Sequence, residues 1–108
     1  MQSGIRWTVR DKHGNSIYIT QERREHITEP TNHPEMVDNG EELKETIRSG
    51  KRIQDPLNPQ KYCYSMAFDN LAKHNTHIIA IVLFRFREQA GEVVPNNHIV
   101  IAYQKEIR

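Results

Sequence analysis

Residues 77–86, His-Ile-Ile-Ala-Ile-Val-Leu-Phe-Arg-Phe, are the most apolar stretch of the chain. Extended, they would be hydrophobic on both faces, and β-branched side chains are plentiful. The stretch therefore predicts a central strand covered on both sides. Such a strand needs partners, and the rest of the chain supplies them. Residues 5–10 alternate strictly, with Ile5, Trp7 and Val9 on one face, and Ile17-Tyr18-Ile19 resumes the pattern after the turn Asp11-Lys12-His13-Gly14-Asn15. Period two means half-buried strands, so residues 5–19 predict a β-hairpin. Tyr62 to Met66 predicts another strand. Asn97 to Ile107 predicts the last, with Ile99, Ile101, Tyr103 and Ile107 on one face and Val100 and Ala102 on the other.

Two helices fall between the hairpin and the later strands. Thr20 is placed to cap the first, with Glu22 in its first turn and Pro30 as its stop. This helix of about nine residues offers one large apolar side chain, Ile27, so packing alone gives it little reason to form. Asn39-Gly40-Glu41-Glu42 has the form of a capping box, Leu43 and Ile47 share a face, and Gly50 closes a second helix over about 40–49. Lys51 and Arg52 follow, then a turn-rich Asp55-Pro56-Leu57-Asn58-Pro59. The order is a β-hairpin, two helices, then a three-stranded antiparallel meander. Helices grouped between strands predict an α+β fold with a curved sheet.

The chain has 108 residues, enough for one domain spanning 1–108 with a single core. No run approaches the roughly 18 apolar residues of a membrane-spanning helix. Met1 to Gly4 lacks the basic-then-apolar pattern of a signal peptide. One cysteine, Cys63, forms neither an internal disulfide nor a Cys-rich metal site, which fits a reducing, cytoplasmic setting. With 15 Lys+Arg against 14 Asp+Glu, bulk charge does not argue for a nucleic-acid partner. Six histidines stand out in so short a chain, because histidine titrates near neutral pH and ligates metals.

His26 carries the sharpest hypothesis. Arg23, His26 and Ile27 lie on adjoining helical positions, so an Ile27 anchored on the sheet leaves Arg23 and His26 at the edge of that contact. A polar helix held against a sheet can wall a cleft, and a histidine there is a candidate general acid or base. The plainer alternative is a surface histidine on a poorly formed helix. Arg85 ends the apolar strand and must reach the sheet edge or meet an anion. Arg48, Lys51 and Arg52 cluster at a helix C-terminus, where the dipole alone accounts for Arg48 and Lys51; the role of Arg52, just outside the helix, is less forced. Tyr62, Tyr64 and Tyr103 could stack on bases, although strand aromatics more often pack against each other. His74 and His77, three apart, are poorly spaced to share a metal, and Asn97-His98 is isolated. No zinc-binding, phosphate-loop or nucleophile-elbow motif is present, so no metal and no cofactor are expected.

The hairpin, Glu-Arg-Arg-Glu-His-Ile (22–27), His-Pro-Glu (33–35) and Ile-Val-Ile-Ala-Tyr-Gln (99–104) together resemble the barnase–EndoU–colicin–RelE-like RNase superfamily, especially its compact phage-type branch. The likeness spans nearly the whole chain in element order. It implies a helical pair on a curved antiparallel sheet that binds RNA, and metal-independent cleavage by attack of the ribose 2′-hydroxyl on the adjacent phosphate. The family's helix histidine falls on His26, its basic residue on Arg52 or Arg85, and its last-strand polar or aromatic position on Tyr103, with Asn97 before it. Ile101 stands where the last strand often carries Ser or Thr. A net charge of +1 suits free or structured RNA at a local patch better than the ribosome.

The expectation is thus an endoribonuclease, the toxin of a toxin–antitoxin or phage-related system, with RNA as substrate and an antitoxin protein as partner. His26, Arg52, Arg85 and Tyr103 would be catalytic, and Arg23, Tyr62, Tyr64 and Asn97 would bind substrate. The rival is a non-catalytic protein- or RNA-binding module on the same fold. Convergence of His26, Arg52, Arg85 and Tyr103 within about 10 Å, the reach of long side chains into one cleft, would favour the enzyme.

Overall fold

The computed structural model describes residues 4–108. Strands β1 (Ile5–Arg10) and β2 (Ser16–Thr20) form the hairpin; α1 (Gln21–Ile27), a 3-10 turn over Pro34–Asp38 and α2 (Gly40–Ser49) follow. Then come β3 (Lys51–Gln54), β4 (Lys61–Ala67), β5 (His77–Leu83), β6 (Phe86–Gln89), β7 (Glu92–Pro95) and β8 (Asn97–Lys105). One sheet runs β1-β2-β8-β5-β4-β3 and is antiparallel except between β2 and β8. The fold is α+β, and its layout differs from expectation in three places.

First, the meander has four strands, because Lys51–Gln54 pairs along β4. The turn-rich segment serves as its hairpin loop, where the Asp55 carboxylate accepts hydrogen bonds from the backbone of Leu57 and Asn58. Second, the apolar stretch does not stay in one strand. β5 ends at Leu83, and Phe86 starts a separate β6–β7 ribbon that reverses at Ala90 and Gly91, both at positive φ. Among the described residues this ribbon pairs with no other strand, and all but one of its strand residues are exposed, so it projects as an arm. Third, helices cover only one face of β5. Ile27, Met36, Leu43 and Ile47 pack with Ile78, Ala80, Val82, Ile99 and Ala102 in one core. The opposite face, with Ile79, Ile81 and Leu83, carries no helix. Ile79 is nonetheless buried, lying opposite Tyr103 and Ser65 on the neighbouring strands.

A bulge corrects the facing of β8. Ile81 pairs with Ile101 but Val82 pairs with Ile99, which leaves Val100 as an extra residue. Ile99 and Ala102 therefore both enter the core, while Ile101 and Tyr103 take the other face. The sheet is also curled. β1 and β4 stand four places apart in the strand order, about 19 Å if flat at the usual strand spacing. Yet Asp11, just past β1, accepts a 2.6 Å hydrogen bond from the Tyr64 hydroxyl on β4.

Thr20 caps α1 as expected, accepting from the Arg23 backbone N–H at 3.0 Å. Thr28, not Pro30, ends the helix, its N–H and hydroxyl both bonding the Arg24 carbonyl. Arg24 supplies what Ile27 alone could not. It is buried, and its Nη2 donates to the Val37 carbonyl at 2.8 Å, tying α1 to the 3-10 turn. The capping box at α2 is incomplete, because the Asn39 side-chain oxygen is taken by Gln104 of β8 and caps no backbone N–H of the helix. Gly50 does close α2, for a steric reason. A Cβ there would collide with the carbonyl oxygens of Thr46 and Ser65.

Candidate active site

β2 and β8 share only two residue pairs, Ile17–Asn97 and Tyr18–His98. Beyond them β2 ends in α1, and the two strands part. The gap is a cleft of about 560 Å³ walled by Tyr18 and Thr20 of β2, Glu22, Arg23 and His26 of α1, and His98 and Ile99 of β8. It lies beside the β8 bulge at Val100.

The two histidines of this cleft come from elements about 70 residues apart in the chain. His26 points away from the buried Ile27 side of α1, its side chain 56% exposed, with Nδ1 2.9 Å from Glu29 Oε1. The carboxylate accepts, so the proton resides on Nδ1 in the neutral ring and Nε2 remains free to exchange protons. His26 is held from behind as well, since Asn32 Nδ2 donates to its carbonyl at 3.0 Å. His98 Nδ1 lies 3.4 Å from the Asn96 carbonyl, which can only accept, so the same tautomer follows and Nε2 is again free. Tyr18 packs on His98 at 5.8 Å between ring centroids, and its hydroxyl donates to Asn96 Oδ1 at 2.7 Å. Asn96 therefore positions both rings. Arg23 forms no ion pair among the described residues, which leaves a cation in the cleft for an anionic ligand.

Of the residues picked out from sequence, Arg23 and His26 lie in this cleft. Asn97 lines the neighbouring hollow on the β1–β2 hairpin instead, and its Nδ2 donates to the Ser16 carbonyl at 3.1 Å, stitching β2 to β8. The others lie elsewhere. Arg52 sits on β3, its guanidinium 4.6 Å from the Tyr62 ring centroid and 3.8 Å from Asp11 Oδ2. Tyr62 packs on Phe84, and Tyr64 is buried with its hydroxyl on Asp11. Burial raises the Tyr64 phenol well above its ordinary range, and the Asp11 carboxylate raises it further. Burial alone would also raise Asp11, but hydrogen bonds from Tyr64, Asn15 and His13 prevail and hold it low.

Arg85 is exposed in the link between β5 and β6, where its carbonyl accepts the Asn96 N–H at 2.7 Å. Tyr103 lies five residues along β8 from His98, roughly 16 Å by the rise of a strand. There it stacks on His33 with centroids 5.4 Å apart, and burial followed by the nearby Cys63 raises its phenol. His26, Arg52, Arg85 and Tyr103 do not converge.

What convergence there is involves His98 and Tyr18, which sequence reasoning missed. Period-two alternation did put both opposite the buried isoleucines Ile17, Ile19 and Ile99. Nothing local joined them, because the β2–β8 pairing is short and spans most of the chain. Among the described residues no three His, Cys, Asp or Glu side chains cluster as metal ligands. No described helix is long and apolar enough to cross a membrane. Comparisons with protein-family models, curated proteins and solved structures find no match.

Proposed function

We propose that the protein is a metal-independent endoribonuclease whose site is the cleft between β2, α1 and β8. The observation that carries this reading is the pair His26 and His98, facing one cleft beside Arg23 with each Nδ1 turned onto an acceptor. Transesterification of RNA needs a base for the 2′-hydroxyl, an acid for the departing 5′-oxygen and a cation for the charge on the phosphorane. The cleft holds one group for each task.

The partners of the two rings divide the roles. His26 has the Glu29 carboxylate behind its Nδ1, a partner that suits an imidazole handing on a proton, so His26 is given the part of the acid. The Asn96 carbonyl accepts from His98 Nδ1 and leaves Nε2 open to the cleft, so His98 is given the part of the base. His98 removes the 2′-hydroxyl proton, the 2′-oxygen attacks phosphorus in line, and His26 Nε2–H protonates the 5′-oxygen as its bond to phosphorus breaks. The products are a 2′,3′-cyclic phosphate and a 5′-hydroxyl. Arg23 binds the non-bridging oxygens, and Tyr18 holds His98 in place. Arg52, Tyr62 and Tyr64 have no part in this scheme, their groups being spent on Asp11 and on each other.

The decisive assay is cleavage of single-stranded RNA in EDTA by the purified protein. His26→Ala and His98→Ala should each lower the rate about a hundredfold or more, the scale of general acid–base catalysis. A strand with 2′-deoxyribose at the cleaved position should resist. Binding without cleavage would favour the RNA-binding module instead, and full activity in both histidine variants would remove this cleft from the chemistry. Growth arrest on expression, relieved by His26→Ala, would extend the reading to a toxin held in check by an antitoxin protein.

A further inference from the structure

A second groove, of about 790 Å³, adjoins the cleft and shares Tyr18 and Thr20 with it. One wall is the helix-free face of the β1–β2 hairpin, with Thr8 and Ser16. The other is the root of the β6–β7 arm, with Arg87, Pro95 and Asn96. Because two lining residues are common to both hollows, a chain lying in one continues into the other.

The two hollows differ in chemistry. The cleft has a carboxylate in its wall, Glu22, beside its titratable and cationic groups. Among the described residues no acidic one lines the groove, whose hydrogen-bonding side chains are neutral hydroxyls and amides and whose one charged lining residue is Arg87. Arg87 faces Val94 across the exposed arm and forms no ion pair among the described residues. A ligand suited to this wall carries one negative charge and several hydrogen-bonding edges. A nucleotide unit fits that description, its phosphate on the guanidinium and its base along the amides and hydroxyls.

Resting on the ribonuclease reading above, we infer that this groove binds the nucleotide next to the cleaved linkage, with Arg87 on its outer phosphate. The arm is then part of the substrate site. Asn96 joins the two halves, since its side chain accepts the Tyr18 hydroxyl while its backbone carbonyl orients His98. Substrates long enough to reach Arg87 should outperform a bare dinucleotide.

The test uses the full chain and its Arg87→Gln variant. One arm compares cleavage of a diribonucleotide without terminal phosphates with that of a pentaribonucleotide. The expected result is a rise of about tenfold in KM for the pentamer, the scale of one lost charged hydrogen bond, with kcat and dinucleotide cleavage unchanged. Equal losses on both substrates, or none on either, would overturn the inference.

The other arm measures binding of a fully 2′-deoxy pentamer by fluorescence anisotropy at several salt concentrations. The slope of log affinity against log salt should shrink by about 0.7 in the variant, as for one phosphate contact on a single strand, and Arg87→Lys should restore it. An unchanged slope would sink the subsite. If the wild-type protein cleaves nothing, the catalytic reading fails and the anisotropy arm alone decides the groove.

Discussion

Arginine, tyrosine and a carboxylate meet in two places in this molecule, with opposite outcomes. At the mouth between β2 and β8, Arg23 has no ion-pair partner among the described residues, and two imidazoles keep a free nitrogen. Between the β1–β2 turn and the β3–β4 edge, Asp11 is closed by Tyr64, the turn backbone and Asn15, with Arg52 alongside. Side-chain composition does not separate a reactive site from a structural one. Residual hydrogen-bonding capacity does, and it depends on which elements the fold brings together. The largest prediction sharpens this contrast. His26→Ala and His98→Ala should each cost about a hundredfold or more in cleavage, while His26→Ala, at an exposed position, shifts stability by no more than about 0.5 kcal/mol, as surface changes do.

Asp11 should behave in the opposite sense. Asp11→Ala leaves the Tyr64 hydroxyl and the Asn15 groups unpaired, a loss of about 2 kcal/mol. For a domain of this size that lowers the melting temperature by roughly 10 °C. The pH dependence has a definite sign. The carboxyl titrates below its ordinary value of 3.8 when folded, so its ionised form stabilises the fold above that pH. That contribution is lost as pH falls through the lower, folded value. The gap in stability between wild type and Asp11→Asn should therefore be full at pH 6 and narrow below about pH 4. A gap that widens in acid would show that Asp11 is not held ionised.

The contrast also explains what could be read in the sequence. The hairpin, the Thr20 cap, α2 and the strands at β4, β5 and β8 follow from periods of two and 3.6 and from capping chemistry. Those signals are local. Arg24 escaped because an arginine in a polar helix looks solvated, whereas here it stays buried on the Val37 carbonyl. The bulge at Val100 escaped because alternation alone carries no mark of an inserted residue. The part of the candidate site on α1 was open to a guess because a helix so poor in apolar residues needed another reason to exist. The part on β8 was not, because two residue pairs between strands about 80 positions apart decide where His98 lies.

Smaller effects probe the closed cluster from its rim. Arg52 lies on the Tyr62 ring and near Asp11, with its side chain 23% exposed. Arg52→Ala should lower stability by about 1 kcal/mol, the size of a part-exposed cation–π contact, and leave cleavage within about twofold of wild type. Arg52→Lys should not restore that stability in full, since an ammonium lacks the flat guanidinium that stacks on the ring. A large fall in kcat with the fold intact would instead join this cluster to the chemistry.

The smallest effect is expected at Arg85, where backbone and side chain do different things. Its carbonyl accepts the Asn96 N–H and anchors the root of the arm, next to the residue that orients both Tyr18 and His98. Its guanidinium lines neither the cleft nor the groove. Arg85→Ala keeps the carbonyl and should leave stability within about 0.5 kcal/mol and cleavage unaltered. Arg85→Pro keeps the carbonyl too but restricts the backbone around it, so it should loosen Asn96 and lower kcat without touching any group in the cleft. The pair separates the two jobs. If alanine alone abolished cleavage, the Arg85 side chain would belong to the site after all.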